Sequence, residues 1–207
     1  MRVAVVGAGN VGAGLAKAAT AAGHEVTVAA AHQENAVKVA EQVGGAAAAT
    51  AADAAKGADV VVLAVPAGVA ADVLAEIKDT DAVVVDATNP LNETYSDLTT
   101  GGSSQAEQLA GAVPGVKLVK AFNTVFASRL GDTNEGGLPL DGFYAGDDEQ
   151  AKQVVADLLA SLGFRPIDAG GLRMARALEE LAFLNITLNA RNGWAWQSGW
   201  RLAGPTA

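Results

Sequence analysis

The stretch Val3-Ala4-Val5-Val6-Gly7-Ala8-Gly9-Asn10-Val11-Gly12 decides the fold of this chain. It opens with four apolar residues in a row, a pattern typical of a parallel strand that helices cover on both faces. A glycine-rich loop follows directly, and from Val11 to Ala22 small residues and good helix formers dominate. Because Gly23 suits a helix C-terminus and Glu25 to Val28 form the next apolar run, the segment predicts a strand–helix–strand unit.

The alternation of strands and helices continues along the rest of the chain. Further strands are predicted at 59–65, 82–86, 116–121, 142–145 and 165–168. Further helices are predicted at 33–42, 67–77 and 149–162, and the alanine-rich passage 46–55 indicates only a weak strand and the start of a helix. From Met174 to Asn189 apolar residues recur at helical spacing, and no strand pattern follows. We therefore expect an α/β fold, a doubly wound Rossmann-type, mostly parallel sheet with a C-terminal helical appendage.

The composition limits the candidate partners. The formal net charge is -9 and the pI about 4.6, and a field of this sign repels nucleic-acid phosphates and anionic lipid. Without cysteine and with only two histidines, a zinc site is nearly excluded. The apolar run before Gly7 is too short for a signal peptide, and Asp59, Pro66 and Asp72 interrupt the most apolar stretch. We expect a cytoplasmic protein with a small-molecule substrate and with no nucleic-acid, membrane or metal partner.

The spacing Gly7-x-Gly9-x-x-Gly12 gives each glycine a physical role. The first permits a tight turn, the second lets the backbone approach a pyrophosphate, and the third allows close packing of helix and strand. Amide groups at the helix N-terminus then hold the phosphate charge. The motif predicts a dinucleotide-binding domain over residues 1–171. Residues 172–207 are expected to form a C-terminal helix and tail of the same structural unit, as a dimer contact or a pocket cap.

The end of the second strand is expected to influence the choice of cofactor, because a carboxylate there favours NAD and a basic side chain favours NADP. Here the chain has Ala29-Ala30-Ala31-His32. This segment offers no carboxylate to repel a 2′-phosphate and no arginine to bind it, so it permits NADP without selecting it strongly. NAD stays an alternative. His32 is the candidate donor to a 2′-phosphate, and a purely structural loop histidine is an equally good interpretation.

The order of several motifs resembles one known family, the NADP oxidoreductases that depend on the 8-hydroxy-5-deazaflavin coenzyme F420. The STEAP metalloreductases and, more distantly, the pyrroline-5-carboxylate reductases share its dinucleotide-binding domain. The resemblance covers nearly the whole chain and rests on these segments: Gly7-Ala8-Gly9-Asn10-Val11-Gly12-Ala13-Gly14, Gly23-His24-Glu25-Val26, Leu63-Ala64-Val65-Pro66, Asp86-Ala87-Thr88-Asn89-Pro90, Val119-Lys120-Ala121-Phe122-Asn123-Thr124-Val125, Ala145-Gly146-Asp147-Asp148, Asp168-Ala169-Gly170-Gly171-Leu172 and Asn192-Gly193-Trp194.

The glycine motif, the end of the second strand and the resemblance together give the predicted cofactor-binding residues: Gly7, Ala8, Gly9, Asn10, Val11, Gly12, Ala30, Ala31, His32, Ala64, Val65, Pro66, Val69, Thr88, Asn89 and Ala127. The resemblance also implies an acceptor pocket lined by Asn123, Val125, Phe126 and Trp194, in a family that is often dimeric through its last helix. We therefore expect a homodimer. Two positions differ from the family: Ala30-Ala31 replace a Ser-Arg pair for the 2′-phosphate, and Asn123 replaces a histidine near the deazaflavin ring.

These residues favour an NAD(P)-dependent oxidoreductase that transfers hydride between nicotinamide and a deazaflavin or flavin-like acceptor. Such a transfer needs two flat rings held face to face and no general acid, and the sequence nominates no catalytic residue. One alternative is a reductase of a small imine or carbonyl substrate, which usually needs a proton donor near the nicotinamide. A second alternative is a dinucleotide-binding sensor without turnover. The C-terminal tryptophans, Trp194, Trp196 and Trp200, are compatible with a pocket cap or a subunit contact.

Two charged residues of the predicted strands also allow expectations. Asp86 stands at a strand end, where a carboxylate can contact a ribose or stabilise a turn. Lys120 precedes the Phe122-Asn123 segment, and we expect it to bury its aliphatic stem and keep its ammonium group in water.

Overall fold

A central sheet of eight strands organises the molecule. The computed structural model describes residues 1–204 and 206, so positions 205 and 207 of the predicted C-terminal part lie outside the described residues. The strands are β1 Arg2–Val6, β2 Glu25–Ala29, β3 Ala46–Ala47, β4 Val60–Leu63, β5 Val83–Asp86, β6 Leu118–Ala121, β7 Asn134–Glu135, β8 Leu138–Pro139, β9 Asp141–Gly146 and β10 Arg165–Asp168. The α-helices are α1 Asn10–Ala21, α2 Gln33–Val43, α3 Ala51–Ala55, α4 Ala70–Glu76, α5 Gln105–Ala112, α6 Glu149–Ser161 and α7 Ala175–Asn192.

The strand order in the sheet is β10-β9-β6-β5-β4-β1-β2-β3, and β7 and β8 form a separate hairpin. Neighbouring strands pair in parallel, apart from the antiparallel pair of β6 and β9. From β3 to β6 this is the doubly wound order, which reverses direction between β1 and β4. The predicted fold class is confirmed. The carboxyl ends of β1, β2, β4, β5 and β6 therefore meet at one edge of the sheet.

Both faces of the sheet are buried, which explains the continuous apolar runs of the strands. Along β1, Val3 and Val5 belong to a core cluster that includes residues of α1 and α6. Ala4 and Val6 belong to a second cluster, which includes residues of α4 and α5. Successive side chains of a strand point to opposite faces, so a strand covered on both sides needs apolar residues at every position.

Two elements lie where the apolar periodicity predicts none. Helix α5 begins at a capping box, in which the Ser104 hydroxyl accepts from the Glu107 N–H and the Glu107 carboxylate accepts from the Ser104 N–H. The β7–β8 hairpin lies on the connection between β6 and β9. Because this connection leaves the sheet and returns to it at the same edge, β9 runs antiparallel to β6.

The expectation that the ammonium group of Lys120 stays in water is wrong. The whole side chain of Lys120 is buried, including the ammonium group. Its Nζ lies 2.9 Å from Oδ2 of Asp86, 2.8 Å from Oε1 of Glu179 and 2.6 Å from the carbonyl oxygen of Thr88. Carboxylates on β5 and α7 thus replace the water that the ammonium group loses. Oδ1 of Asp86 accepts a 2.9 Å hydrogen bond from the Thr88 N–H, so Asp86 stabilises a turn.

Two carboxylates fix α7 against α5. Both oxygens of Glu179 accept from the Gln105 N–H at 3.0 Å, and burial raises the pKa of Glu179 while Lys120 opposes the shift. Arg176 donates to both oxygens of Glu107 at 2.7 and 2.8 Å. This ion pair lowers the pKa of Glu107 to about 2. Helix α7 is therefore held over the end of β5 and β6 by ionic contacts as well as by its apolar residues.

The outward face of α7 carries an apolar patch. Leu184 is exposed, and Leu181 and Phe183 beside it are partly buried. The expected homodimer through this last helix stays a prediction.

Replacing Lys120 by methionine tests the buried ion cluster. The variant leaves Asp86 and Glu179 buried without a cation, and breaking a buried pair costs about 3–5 kcal/mol. We expect the free energy of unfolding to fall by this amount in urea titrations followed by circular dichroism. The matched control is Lys38→Met at an exposed position on α2, which should change the stability by less than about 0.5 kcal/mol. Equal stability of Lys120→Met and the unaltered chain would contradict the role of the cluster.

Candidate active site

The glycine loop lies at the carboxyl end of β1 and is fixed by close backbone contacts. Gly7 has φ +122°, and its N–H donates to the carbonyl oxygen of Ala29 at 2.8 Å. A Cβ on Gly7 would lie 2.2 Å from the carbonyl oxygen of Ala64, and a Cβ on Gly12 would lie 1.8 Å from that of Gly7. These two glycines therefore let β1, β4 and α1 approach one another more closely than any side chain would allow.

Gly9 differs from its neighbours because it packs against nothing. A Cβ built on Gly9 meets no atom within 4 Å. Gly9 is also the N-cap of α1, and no side chain caps the helix there. The amide groups of the first turn of α1 thus face open space, where they can hold the charge of a pyrophosphate. The arrangement fits a dinucleotide that lies across this loop.

A cleft of about 680 Å³ extends from the loop along the carboxyl ends of β1, β2 and β4. Ten of the predicted cofactor-binding residues line it: Gly7, Ala8, Gly9, Ala30, Ala31, His32, Ala64, Val65, Pro66 and Val69. Asn35, Thr50, Asp72 and Glu76 also line the cleft. Among the residues that the structure describes, its lining includes no lysine or arginine. The cleft therefore offers a 2′-phosphate amide, hydroxyl and imidazole groups rather than a permanent cation.

A second cavity of about 180 Å³ lies beside the glycine loop, where β5 and β6 end. We call it the niche. It brings together six predicted residues from both the cofactor and the acceptor sets: Val11, Asn89, Asn123, Val125, Phe126 and Ala127. Thr124 and three residues of α7, namely Ala182, Asn185 and Ile186, complete the lining. None of these lining residues carries a side chain that titrates near neutral pH.

The wall of the niche begins at a strained residue. Phe122 has φ +63° and is buried, and its carbonyl oxygen accepts from the Val125 N–H at 3.1 Å. A left-handed conformation of a bulky residue costs about 1–3 kcal/mol and is typical of functional sites. Asn89 stabilises Asn123, the residue after Phe122, because its Nδ2 donates to the carbonyl oxygen of Asn123 at 2.8 Å. The turn thus directs Asn123 and Thr124 into the niche.

The C-terminal tail covers the outer side of this wall. The ring of Trp196 packs edge-on against Phe126 with the centroids 5.5 Å apart. The Ser128 hydroxyl donates to the carbonyl oxygen of Trp196, and Arg129 donates to that of Gln197 at 3.2 Å. Trp196 is therefore the tryptophan that supports the predicted acceptor pocket. Trp194 is about half exposed and lines neither cavity.

Asn10, Gly12 and Thr88 also lie outside the lining of both cavities. Asn10 is the first residue of α1, and Gly12 lets α1 pack closely against Gly7. Thr88 is buried, and its carbonyl oxygen accepts a hydrogen bond from Lys120. Asn185 is a further niche residue that the apolar periodicity of α7 does not indicate. The available signal was the polar set Glu179, Asn185 and Asn189, which shares a buried face of α7.

Two kinds of feature are absent from residues 1–204 and 206, the part of the chain that the structure describes. No group of three or more histidine, aspartate or glutamate side chains lies close enough to hold a metal ion. No described helix combines the length and apolarity needed to cross a bilayer. A cavity at the opposite edge of the sheet, near Arg2 and Val83, lies at the amino ends of the strands, away from the edge where open α/β sheets bind ligands.

The glycine cradle and the cleft at the switch point of the sheet are the features of a Rossmann-type dinucleotide-binding protein. A family model described as "NADP oxidoreductase coenzyme F420-dependent" matches residues 2–90. Over 211 aligned residues the chain is 36% identical to the F420-dependent NADP reductase of Methanothermobacter thermautotrophicus, and the match covers 93% of this chain and 90% of that protein. The chain belongs to the family of F420-dependent NADP reductases.

Two other similarities agree with this assignment. A crystal structure of a candidate F420-dependent NADP reductase from Arthrobacter sp. FB24 superimposes with a TM-score of 0.85 at 31% identity, covering 97% of this chain and 99% of the other. The metalloreductase STEAP3 of Rattus norvegicus is 35% identical over 103 residues, which are 48% of this chain and 20% of the metalloreductase. The predicted resemblance is confirmed, and the protein is an enzyme of the oxidoreductase class.

Replacing Gly9 by alanine tests the phosphate cradle. The added methyl group meets open space in the protein but occupies the approach of the pyrophosphate, so we expect at least about tenfold weaker NADPH binding with little change in melting temperature. Fluorescence titration of NADPH measures the affinity. Gly111→Ala is the matched control, since its Cβ also meets nothing within 4 Å and lies on α5, away from the cleft. An unaltered affinity of Gly9→Ala for NADPH would exclude pyrophosphate binding at the glycine loop.

Replacing Ala31 by arginine tests where a 2′-phosphate binds. Ala31 is exposed at the cleft, and a guanidinium group there gains a charge-assisted contact of about 1.5–3 kcal/mol with the phosphate. We expect NADPH to bind at least about tenfold more tightly and NADH to bind as before. Ala31→Met, which is similarly long and uncharged, is the control. An equal gain for both cofactors would place the 2′-phosphate elsewhere.

Proposed function

We propose that this enzyme transfers hydride between NADP(H) and a deazaflavin or flavin-like ring. The observation that carries the proposal is the niche, which adjoins the glycine cradle and is lined by apolar side chains, amides and one hydroxyl. A hydride moves directly between two stacked rings, so positioning supplies most of the catalysis and no proton donor is required. The related Methanothermobacter enzymes are F420-dependent NADP reductases, which supports NADP and F420 as the two reactants.

The cofactor would lie across the carboxyl ends of the strands. The amides of Ala8 to Val11 hold its pyrophosphate, and the segment of Ala30 to His32 faces its adenosine end. Val65 and Pro66 supply an apolar wall of the cleft just beyond the carboxyl end of β4. NADPH supplies the hydride from C4 of its nicotinamide when it is bound. NAD(H) stays an alternative cofactor, because no lysine or arginine lines the described cleft.

The acceptor ring would approach from the side of Asn123, Val125 and Phe126. Val125 and Phe126 offer apolar surface to a flat ring, and Trp196 holds Phe126 in place. Of the predicted acceptor-binding residues, Trp194 stands apart from this wall. Its role as a contact of the acceptor would require the tail to move.

A reductase of imines or carbonyls usually protonates its substrate as well as reducing it. The described lining of the niche provides amides and one hydroxyl but no lysine, tyrosine, histidine or carboxylic acid. This lining favours direct hydride transfer over the imine reaction. A sensor without turnover would instead need a nicotinamide whose reactive face is occluded.

Anaerobic stopped-flow oxidation of NADPH and NADH tests the proposal. The purified protein is offered coenzyme F420, FMN, FAD and pyrroline-5-carboxylate in parallel, and absorbance at the nicotinamide and acceptor bands is followed together. Rapid stoichiometric transfer to F420 or a flavin is expected, with rates that do not follow the titration of a general acid near neutral pH. Turnover with the imine alone would replace the proposal by an imine reductase. Tight NADPH binding without turnover on any acceptor would indicate a sensor.

A further inference from the structure

Three polar atoms of the niche have no hydrogen-bond partner among the residues that the structure describes: Oδ1 of Asn123, Oγ1 of Thr124 and Nδ2 of Asn185. Their residues are only 5%, 4% and 4% exposed, and all three line the same cavity. A buried polar atom without a partner costs about 1–3 kcal/mol, so such a group in a folded protein is usually satisfied by water, an ion or a ligand. The niche can therefore form hydrogen bonds with a polar group of a ligand as well as pack against an apolar ring.

The orientation of the Asn123 amide is fixed by its partners. Its Nδ2 donates to Oδ1 of Asn89 at 3.1 Å and to the carbonyl oxygen of Leu178 at 3.0 Å. A flipped amide would set its oxygen against that carbonyl oxygen, and the two acceptors would repel each other. The free atom of Asn123 is consequently the oxygen, which can only accept a hydrogen bond.

The Asn185 amide is fixed in the opposite sense. Its Oδ1 accepts from the Ser198 hydroxyl at 2.7 Å and from Nδ2 of Asn189 at 3.1 Å. Asn189 is itself buried, and its Nδ2 donates to the carbonyl oxygen of Asn185 at 2.8 Å. The Nδ2 of Asn185 is thereby left as a free donor. The tail residue Ser198 thus takes part in orienting a group of the niche.

The niche therefore presents one fixed acceptor and one fixed donor, contributed by the end of β6 and by α7. A primary carboxamide is complementary to this pair, because its NH₂ donates and its carbonyl oxygen accepts. The volume of about 180 Å³ suits one substituted ring and is well below the 300–1,000 Å³ typical of larger ligands. Resting on the proposed function, we infer that Asn123 and Asn185 bind the carboxamide of the nicotinamide and so orient its ring.

This inference assigns a positioning role to Asn185 and Ser198, and it assigns the Asn123 amide oxygen to the cofactor rather than to the acceptor. A carboxamide held at both ends prevents the nicotinamide from rotating about its bond to the ribose. One face of the ring is then presented to the acceptor at every encounter. The Thr124 hydroxyl, which can donate or accept, lies beside the pair as a third contact.

The test compares cofactor analogues on the unaltered protein in the absence of any acceptor. The 3-acetylpyridine analogue of NADPH carries a methyl group in place of the carboxamide NH₂, and its binding leaves the Asn123 oxygen unpaired. We expect it to bind at least about tenfold more weakly than NADPH in fluorescence titrations. Equal affinity of the two compounds would overturn the inference, and this arm needs no variant to fold.

Asn185→Asp provides the second arm. Aspartate keeps an oxygen for Ser198 and Asn189 but sets a second oxygen against the carboxamide carbonyl, so NADPH should bind at least about tenfold more weakly. ADP-ribose 2′-phosphate, which lacks the nicotinamide, should bind as before. Asn192→Asp, at the exposed end of α7, is the matched control and should change neither affinity.

Two outcomes of this arm would contradict the assignment. Equal weakening of NADPH and ADP-ribose 2′-phosphate would give Asn185 a purely structural role. An unaltered NADPH affinity together with a raised KM for the acceptor would show that the amide pair binds the acceptor ring. Since all affinities are measured without acceptor, failure of the proposed hydride transfer would appear separately, as absent turnover despite carboxamide-dependent binding.

Discussion

Two close backbone approaches, of Gly7 to the carbonyl oxygen of Ala64 and of Gly12 to the carbonyl oxygen of Gly7, are the constraint on which the rest of the site depends. Only backbone without a side chain can approach to this distance, and the approach sets the N-terminus of α1 directly above the ends of β1 and β4. Once α1 is placed there, its uncapped amides form an anion site at the point where the sheet order reverses. Gly9 then keeps the entrance to that site open.

A second constraint, the buried ion cluster around Lys120, positions α7 beside the glycine loop. Lys120 lies near the carboxyl end of β6 and binds Glu179 of α7 and Asp86 of β5. The cluster holds α7 across the carboxyl ends of β5 and β6, and two turns further along that helix Asn185 reaches the niche. Ionic contacts buried in the core thus determine the position of the uncharged Asn185 amide in the niche. Replacing such contacts by apolar packing is often tolerated in energy, whereas it would remove this fixed placement.

The tail contributes by supporting side chains that contact the niche. Trp196 packs on Phe126, and Ser198 orients the Asn185 amide from behind. A segment that has little regular structure therefore acts on the shape and on the hydrogen-bonding pattern of the site. The three C-terminal tryptophans differ in their surroundings. Trp196 packs on Phe126, Trp200 packs near Phe143 and Leu178, and Trp194 is exposed.

The sequence by itself determined the doubly wound fold, the glycine cradle and the family, because these depend on local patterns. An apolar run, three spaced glycines and a helix follow one another within a short segment, and each has its meaning without reference to distant residues. Only the tertiary structure decided the complete burial of Lys120, the antiparallel direction of β9 and the position of Asn123 and Asn185 in the lining of one cavity. These depend on residues far apart in the chain, whose amide orientations and burial follow from partners that appear only when α7 packs against the sheet.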